Sequence, residues 1–183
     1  MVTAYFDIET KYLFDEVGGY ENMTKLGLSV ACLILDDSDD PAFYEEKDIE
    51  DLFDALSQAD LIVGHNIIGF DYPVLDVYAS FNVPGRYKKK TFDTLHELYK
   101  VTGRRIGLQD LGHRNLGRGK TGEAVMMPHL WRDGQHDLVK EYCANDVRLV
   151  RDIFLHGKNT GHITYTDKRR GVLLGIREVP VKW

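Results

Sequence analysis

Residues 26–35, Leu-Gly-Leu-Ser-Val-Ala-Cys-Leu-Ile-Leu, are apolar at nearly every position. A run of this length without helical period or polar alternation reads as a central strand. Around it, residues 3–8 read as a strand that runs into an acidic end, 36–40 as a turn and 42–45 as a short third strand. Helical spacing of Ile49, Leu52, Phe53 and Leu56 predicts a helix from Asp48, with acids in its first turn where the dipole favours them. A short buried strand is expected over 61–63, ending at Gly64, and a helix over 71–80, with Pro73 tolerable in its first turn. Helical signals follow at 94–100 and 108–116. The clearest helix covers 136–156, with Leu138, Val139, Tyr142, Asp146, Leu149, Val150 and Ile153 on one face. Segments 163–165 and 172–176 read as a closing hairpin around 167–171. Strands first, then strands alternating with helices, imply an α/β fold: a mixed β-sheet flanked by helices. The 183 residues carry no evident linker or repeat, and one domain over 1–183 is expected.

Three regions present acids at the ends of such elements. Asp7 and Glu9 stand two apart at the end of the first strand, so both side chains leave on the same face. Asp71 follows the glycine-flanked loop 64–70, at the mouth of the sheet, where α/β folds collect ligands. Tyr142 and Asp146 are one helical turn apart on the otherwise buried stripe. An acid there must be paired, neutral or bound to metal. Arg148 and Arg151 lie on other faces and make poor partners for it. Asp7, Glu9, Asp71 and Asp146 offer four hard oxygen ligands without a Cys–His cluster, which selects two Mg²⁺ or Mn²⁺ ions over zinc. Such a pair can activate water and stabilise the leaving 3′ oxygen in phosphodiester cleavage.

Charge supports a polyanionic partner only locally. Net charge is −6, yet residues 1–60 carry −13 and residues 86–120 carry +7. The basic segment, with Lys88, Lys89, Lys90, Arg104, Arg105, Arg114 and Arg118, is expected to track a phosphate backbone, Arg104 and Arg105 foremost. Cys32 and Cys143 fall in apolar segments and read as buried thiols. With no membrane-length apolar run and no secretory leader, a cytoplasmic protein is expected.

Taken together, the motifs resemble those of the DnaQ-like exonuclease superfamily, which has the RNase H-like fold. Phe6-Asp7-Ile8-Glu9-Thr10 resembles its Asp-x-Glu-Thr motif. Asn66-Ile67-Ile68-Gly69-Phe70-Asp71 resembles the second motif as spaced in family B polymerase proofreading domains, and Tyr142-Cys143-Ala144-Asn145-Asp146 the third. The tyrosine subclass (DEDDy) is favoured, because the position five before the last Asp is Glu141 rather than His. The resemblance implies a 3′→5′ exonuclease in which Tyr142 stands beside the attacking water. It implies that Thr10 and Leu13 line the terminal nucleotide and that Asn66 and Phe70 contact substrate. The partner implied is a nucleic acid with a free 3′ end, single-stranded.

Competing patterns are weaker. Gly117-x-Gly119-x-x-Gly122 matches a dinucleotide pattern literally, but follows a helix and lacks a βαβ unit. Gly119-Lys120-Thr121 mimics the end of a P-loop, with Arg114 where the first glycine belongs. A basic loop touching phosphates is the better reading, and no nucleotide cofactor is expected. His65 is read as a structural hydrogen-bonder and Asp93 as a helix cap. The alternatives are an RNase H-like endonuclease and a nucleic-acid-binding module without catalysis. All four acids and the tyrosine are present, which disfavours the latter.

Overall fold

A computed structural model describes residues 1–36 and 38–183. Along the chain lie β1 (Thr3–Thr10), β2 (Leu28–Leu35), β3 (Ala42–Tyr44), α1 (Ile49–Gln58), β4 (Leu61–Gly64), α2 (Asp71–Leu75) and α3 (Val83–Tyr87). Then come β5 (Thr91–Asp93), α4 (Thr94–Thr102), α5 (Leu108–Leu116), α6 (Met127–Arg132), α7 (His136–Thr160), β6 (His162–Arg169) and β7 (Val172–Pro180). The main sheet has five strands in the order β3-β2-β1-β4-β5. β1 and β2, and β2 and β3, pair antiparallel, whereas β1–β4 and β4–β5 are parallel. The expected mixed sheet flanked by helices is what forms.

The apolar run in β2 is explained by burial on both faces. Val30, Cys32 and Ile34 join Tyr5 and Val63 under α7, where Val139, Cys143, Val150 and Ile153 cover them. Ala31 and Leu33 join Ala4, Phe6, Ile8 and Ile62 on the other face, against Leu52 and Leu56 of α1 and Tyr72 of α2. The β1–β2 register shifts between Glu9 and Thr10, where Glu9 faces Val30 and Thr10 faces Leu28. Ser29 is the extra residue of this bulge, which bends β1 at its acidic end.

Several boundaries differ from expectation. The turn expected over 36–40 includes Asp37, which lies outside the described residues. α2 stops at Leu75 rather than 80, because a 3₁₀ turn follows and the Asp76 carboxylate accepts from Val83 N (2.7 Å) at the start of α3. α7 continues to Thr160, where Gly161 (φ 73°) ends it. Leu138, expected on its buried stripe, is 56% exposed in the helix's first turn, which is covered only on the Val139 side. β6 and β7 are longer than expected and form a sheet of their own. Their turn narrows to Arg170 (φ 49°) and Gly171 (φ 80°), both left-handed, which matches the twist of a two-residue hairpin loop. The short elements α3, β5 and α6 carry too little periodicity to be seen in the sequence.

Gly64 closes β4 against β1. A Cβ there would lie 2.2 Å from Ile67 Cγ2 and 3.0 Å from the Phe6 carbonyl oxygen. Overpacking a full core costs about 1–3 kcal/mol. Gly64→Ala is therefore expected to lower the urea midpoint by a corresponding amount and to displace the loop that follows. An unchanged midpoint would show that Ile67 yields freely.

Candidate active site

β1 alternates Tyr5, Asp7 and Glu9 toward one face with Phe6 and Ile8 toward the other, so the two acids point at the helix that covers Tyr5. That helix is α7. The nearest ligand atoms of Asp7, Glu9 and Cys143 lie within 4.8 Å of one another. A cavity of about 300 Å³ at this end of β1 is lined by Asp7, Glu9, Asp71 and Asp146. Glu9, Asp71 and Asp146 are at most 9% exposed, while Asp7 opens partly to the cavity.

Asp71 is aimed by the loop between β4 and α2, and Asp93 holds that loop. Its carboxylate accepts from Asn66 N (2.8 Å) and Ile68 N (3.0 Å) and also caps α4 through Leu95 N (3.0 Å) and His96 N (3.2 Å). The expected cap is present, and it does more than cap. His65 Nδ1 hydrogen-bonds Thr94 Oγ1 (2.8 Å), as expected of a structural histidine, and burial lowers its pKa to about 4. Its ring also lines the cavity.

Burial, then crowding, sets the electrostatics. Burial first, then the charge of Asp146, raises Asp7 from its ordinary 3.8 to about 8. Burial and Asp7 push Glu9 and Asp71 well up as well. Asp146 is raised by burial against an opposing pull from Lys120. Asp71 Oδ1 and Asp146 Oδ1 are buried without a hydrogen-bond partner in two residues that line one cavity, and unpaired carboxylate oxygens are what a hard cation requires. The Cys143 thiol donates to the Asp7 carbonyl (3.6 Å), and burial pushes its pKa well above the ordinary 9.0. The donor set thus fits divalent metal held by oxygen.

The partner of Asp146 comes from outside its helix. Lys120, in the loop between α5 and α6, ion-pairs with Asp146 through Nζ and donates to Tyr142 Oη (3.1 Å), with Nζ 5.2 Å from the centre of the Tyr142 ring. Arg148 pairs with Glu141 (3.3 Å) and Arg151 with Asp39 (2.8 Å), so neither α7 arginine serves Asp146. The loop is fastened by Lys120 N to Gln109 Oε1 (2.6 Å), by the Arg118–Asp152 ion pair and by Gly122 against the Tyr142 ring. Sequence reasoning placed a phosphate-touching loop here and missed its role as counter-ion. The one signal was a lysine between glycines ahead of an unpartnered buried acid. Tyr142 itself lines an adjoining cavity that shares Lys120 and Ala124 with the first. Burial, then Asp146, raises its hydroxyl pKa, so it stays protonated.

Thr10, Leu13, Asn66 and Phe70 all line the acidic cavity, joined by Tyr12 and Phe14, which the sequence did not single out. Phe14 meets Phe70 edge-on with ring centres 5.9 Å apart. Arg105 reaches the rim, donating to Asn66 Oδ1 (3.1 Å). Arg104 does not, because its guanidinium pairs with Asp167 of β6 (2.9 Å). Nor does the basic segment form one track. Lys90 Nζ donates to the carbonyls of Leu56, Ser57 and Ala59 (2.8 Å each) at the end of α1, on the opposite face of the sheet.

A family model described as the RNase_H superfamily matches residues 4–158. Among solved structures, 81 chains match. One is the family B DNA polymerase from the hyperthermophilic archaeon Pyrobaculum calidifontis, with a TM-score of 0.60 and 15% identity over 87% of this chain. The chain spans 24% of that polymerase's length. No curated protein matches. Among the described residues, no helix is long and apolar enough to cross a membrane.

The raised carboxyls fix the sign of a pH effect. Folded metal-free protein keeps the Asp7 proton over a range where the unfolded chain has lost it, from the ordinary 3.8 to about 8. The folded state then binds more protons, and stability falls as pH rises through that window. Surface pairs such as Glu45–Lys140 act oppositely, but their contribution is complete above the ordinary carboxylate range. Calorimetry in EDTA is expected to show a melting temperature that declines from mildly acidic toward alkaline pH, and Asp7→Asn is expected to flatten the decline. A melting temperature that rises across the same range would contradict the crowded-acid account.

Proposed function

Since the chain belongs to the RNase_H superfamily, we propose that it is a metal-dependent nuclease that removes nucleotides from the 3′ end of a nucleic acid. The observation that carries this reading is the convergence of Asp7, Glu9, Asp71 and Asp146 on one cavity with Tyr142 beside them. Two divalent ions held there, Mg²⁺ or Mn²⁺, would supply the charge that activates water and stabilises the leaving oxygen. The chain's own residues do the rest. β1 presents Asp7 and Glu9 from a rigid strand, the Asp93 clamp fixes the loop before Asp71, and α7 carries Asp146 and Tyr142 in one register. Tyr142 keeps its proton and has its hydroxyl beside Asp146 and Lys120, which suits it to orient a water and not to bind metal. These are the roles of the tyrosine subclass.

Exonuclease action is favoured over internal cleavage by the cavity's size and wall. About 300 Å³ is at the small end of ligand sites and suits one terminal nucleotide better than a length of duplex. Tyr12, Leu13, Phe14 and Phe70 beside the acids offer a base an apolar and aromatic surface. Stacking on such a surface is worth about 1–3 kcal/mol per base. A single strand delivers an unstacked end to this pocket.

End-labelled linear oligonucleotides are expected to shorten from the 3′ end in Mg²⁺ or Mn²⁺, with no digestion in EDTA and none of circular or 3′-blocked substrates. Cleavage of circles would favour the RNase H-like endonuclease, and full activity in EDTA would end the metal reading.

Tyr142→Phe keeps the ring packed and deletes the hydroxyl. Loss of a positioning group of this kind costs about 10²–10⁴-fold in rate. Single-turnover cleavage is expected to slow by that order with near-normal metal and oligonucleotide affinity, whereas Asp146→Asn weakens metal binding as well. If Tyr142→Phe cleaves like the parent, the tyrosine only packs the helix.

A further inference from the structure

Lys120 places a cation directly against the acids. Its ammonium engages Asp146 Oδ2 and Tyr142 Oη, and its charge also reaches Asp7 and Glu9. Its side chain is 26% exposed, beside an Asp146 side chain that is 2% exposed. The chain at and just before Lys120 is fastened, by Gln109 at Lys120 N and by Asp152 at the Arg118 side chain, so the four-carbon stem can swing without moving this part of the loop. A buried carboxylate stripped of its partner is strongly destabilising, so the metal-free fold relies on this ammonium. The oxygen it occupies belongs to one of the four acids read above as metal ligands. An ammonium and a divalent ion on the same carboxylate repel across a poorly screened distance.

We propose that Lys120 is a built-in counter-ion that neutralises the carboxylate cluster before metal arrives and is displaced from Asp146 when metal binds. The inference rests on the reading of the four acids as a metal site. Asp146 Oδ1, the oxygen Lys120 leaves unpartnered, is a buried acceptor that a bound ion would satisfy. Completing the site then expels the ammonium toward the open side of the cavity that Lys120 already lines. The same residue thereby stabilises the metal-free protein and weakens its affinity for metal.

Mn²⁺ binding, read by the loss of the free-ion electron paramagnetic resonance signal, tests this in the full chain. Wild type, Lys120→Met and Lys120→Gln are compared, with Asp7→Asn as the control that defines site-bound metal. Both lysine variants are expected to bind Mn²⁺ at least tenfold more tightly than wild type, and to melt lower in EDTA with the deficit closed by Mn²⁺. Equal or weaker Mn²⁺ affinity in the lysine variants, with wild-type binding intact, overturns the counter-ion role and leaves the metal site standing. Absence of Asp7-dependent binding in every protein overturns the metal reading itself, and this proposal with it. Should the variants fail to fold, wild type alone decides the matter. Acetylation of Lys120 by an N-hydroxysuccinimide ester, followed by peptide mass spectrometry, is expected to rise severalfold on Mn²⁺ saturation. Unchanged labelling between the metal-free and Mn²⁺-loaded protein overturns displacement.

Discussion

Placing Asp7, Glu9, Asp71 and Asp146 around one cavity takes four acids largely out of water and sets them against one another. Desolvating even one carboxylate as an ion is expensive, and like charges at close range raise the cost further. The chain meets this in two ways. Protons remain on acids whose ionisation is penalised, most clearly Asp7, and one ammonium is supplied from a distant loop. Neither device makes the cluster a stabilising feature. Two apolar cores, one on each face of the sheet, supply the favourable burial that tolerates it.

The supports of the site follow from the same constraint. Repelling groups spread apart unless each is fixed independently, so each acid stands on an element held by something other than the site. β1 is the middle strand of five, paired on both sides. α7 packs along its length under the sheet, with Val139, Val147, Val150 and Ile153 fully buried. The loop before Asp71 buries Ile67 in one core and is tied further by one carboxylate. Asp93 spends its acceptor capacity on four backbone amides, two of the loop and two of α4. Asp93 therefore governs where Asp71 points without touching the cavity.

What could be read in advance followed short-range geometry. Period two placed Asp7 and Glu9 together, one helical turn placed Tyr142 over Asp146, and the long apolar run marked β2 as a central strand. Asp71 was legible as the end of a loop leaving a buried strand. Lys120 was not, because nothing local distinguishes a lysine that folds back onto a helix 26 residues later from one that faces solvent. Arg104 and Lys90 show the same limit from the other side. Both belong to a basic segment, yet one is taken by Asp167 and the other by the end of α1. Tyr12 and Phe14 escaped notice because they lie outside the recurring motifs, although they wall the cavity.

This dispersal of the basic residues bears on how a polyanion is held. A continuous basic groove would attract a backbone through many phosphate contacts, each releasing counter-ions and steepening the salt dependence. Here the chain is acidic overall, and of the +7 segment Lys120 lines the cavity while Arg105 reaches Asn66 in its wall. Lys120 is itself engaged by Asp146 until another cation replaces it. On the proposed reading, a metal-free site would repel the substrate, whereas a loaded one would attract it twice, through the ions and through the ammonium they release. Metal loading would then decide whether the nucleic acid is held at all, and the aromatic wall, rather than a basic track, would anchor its end.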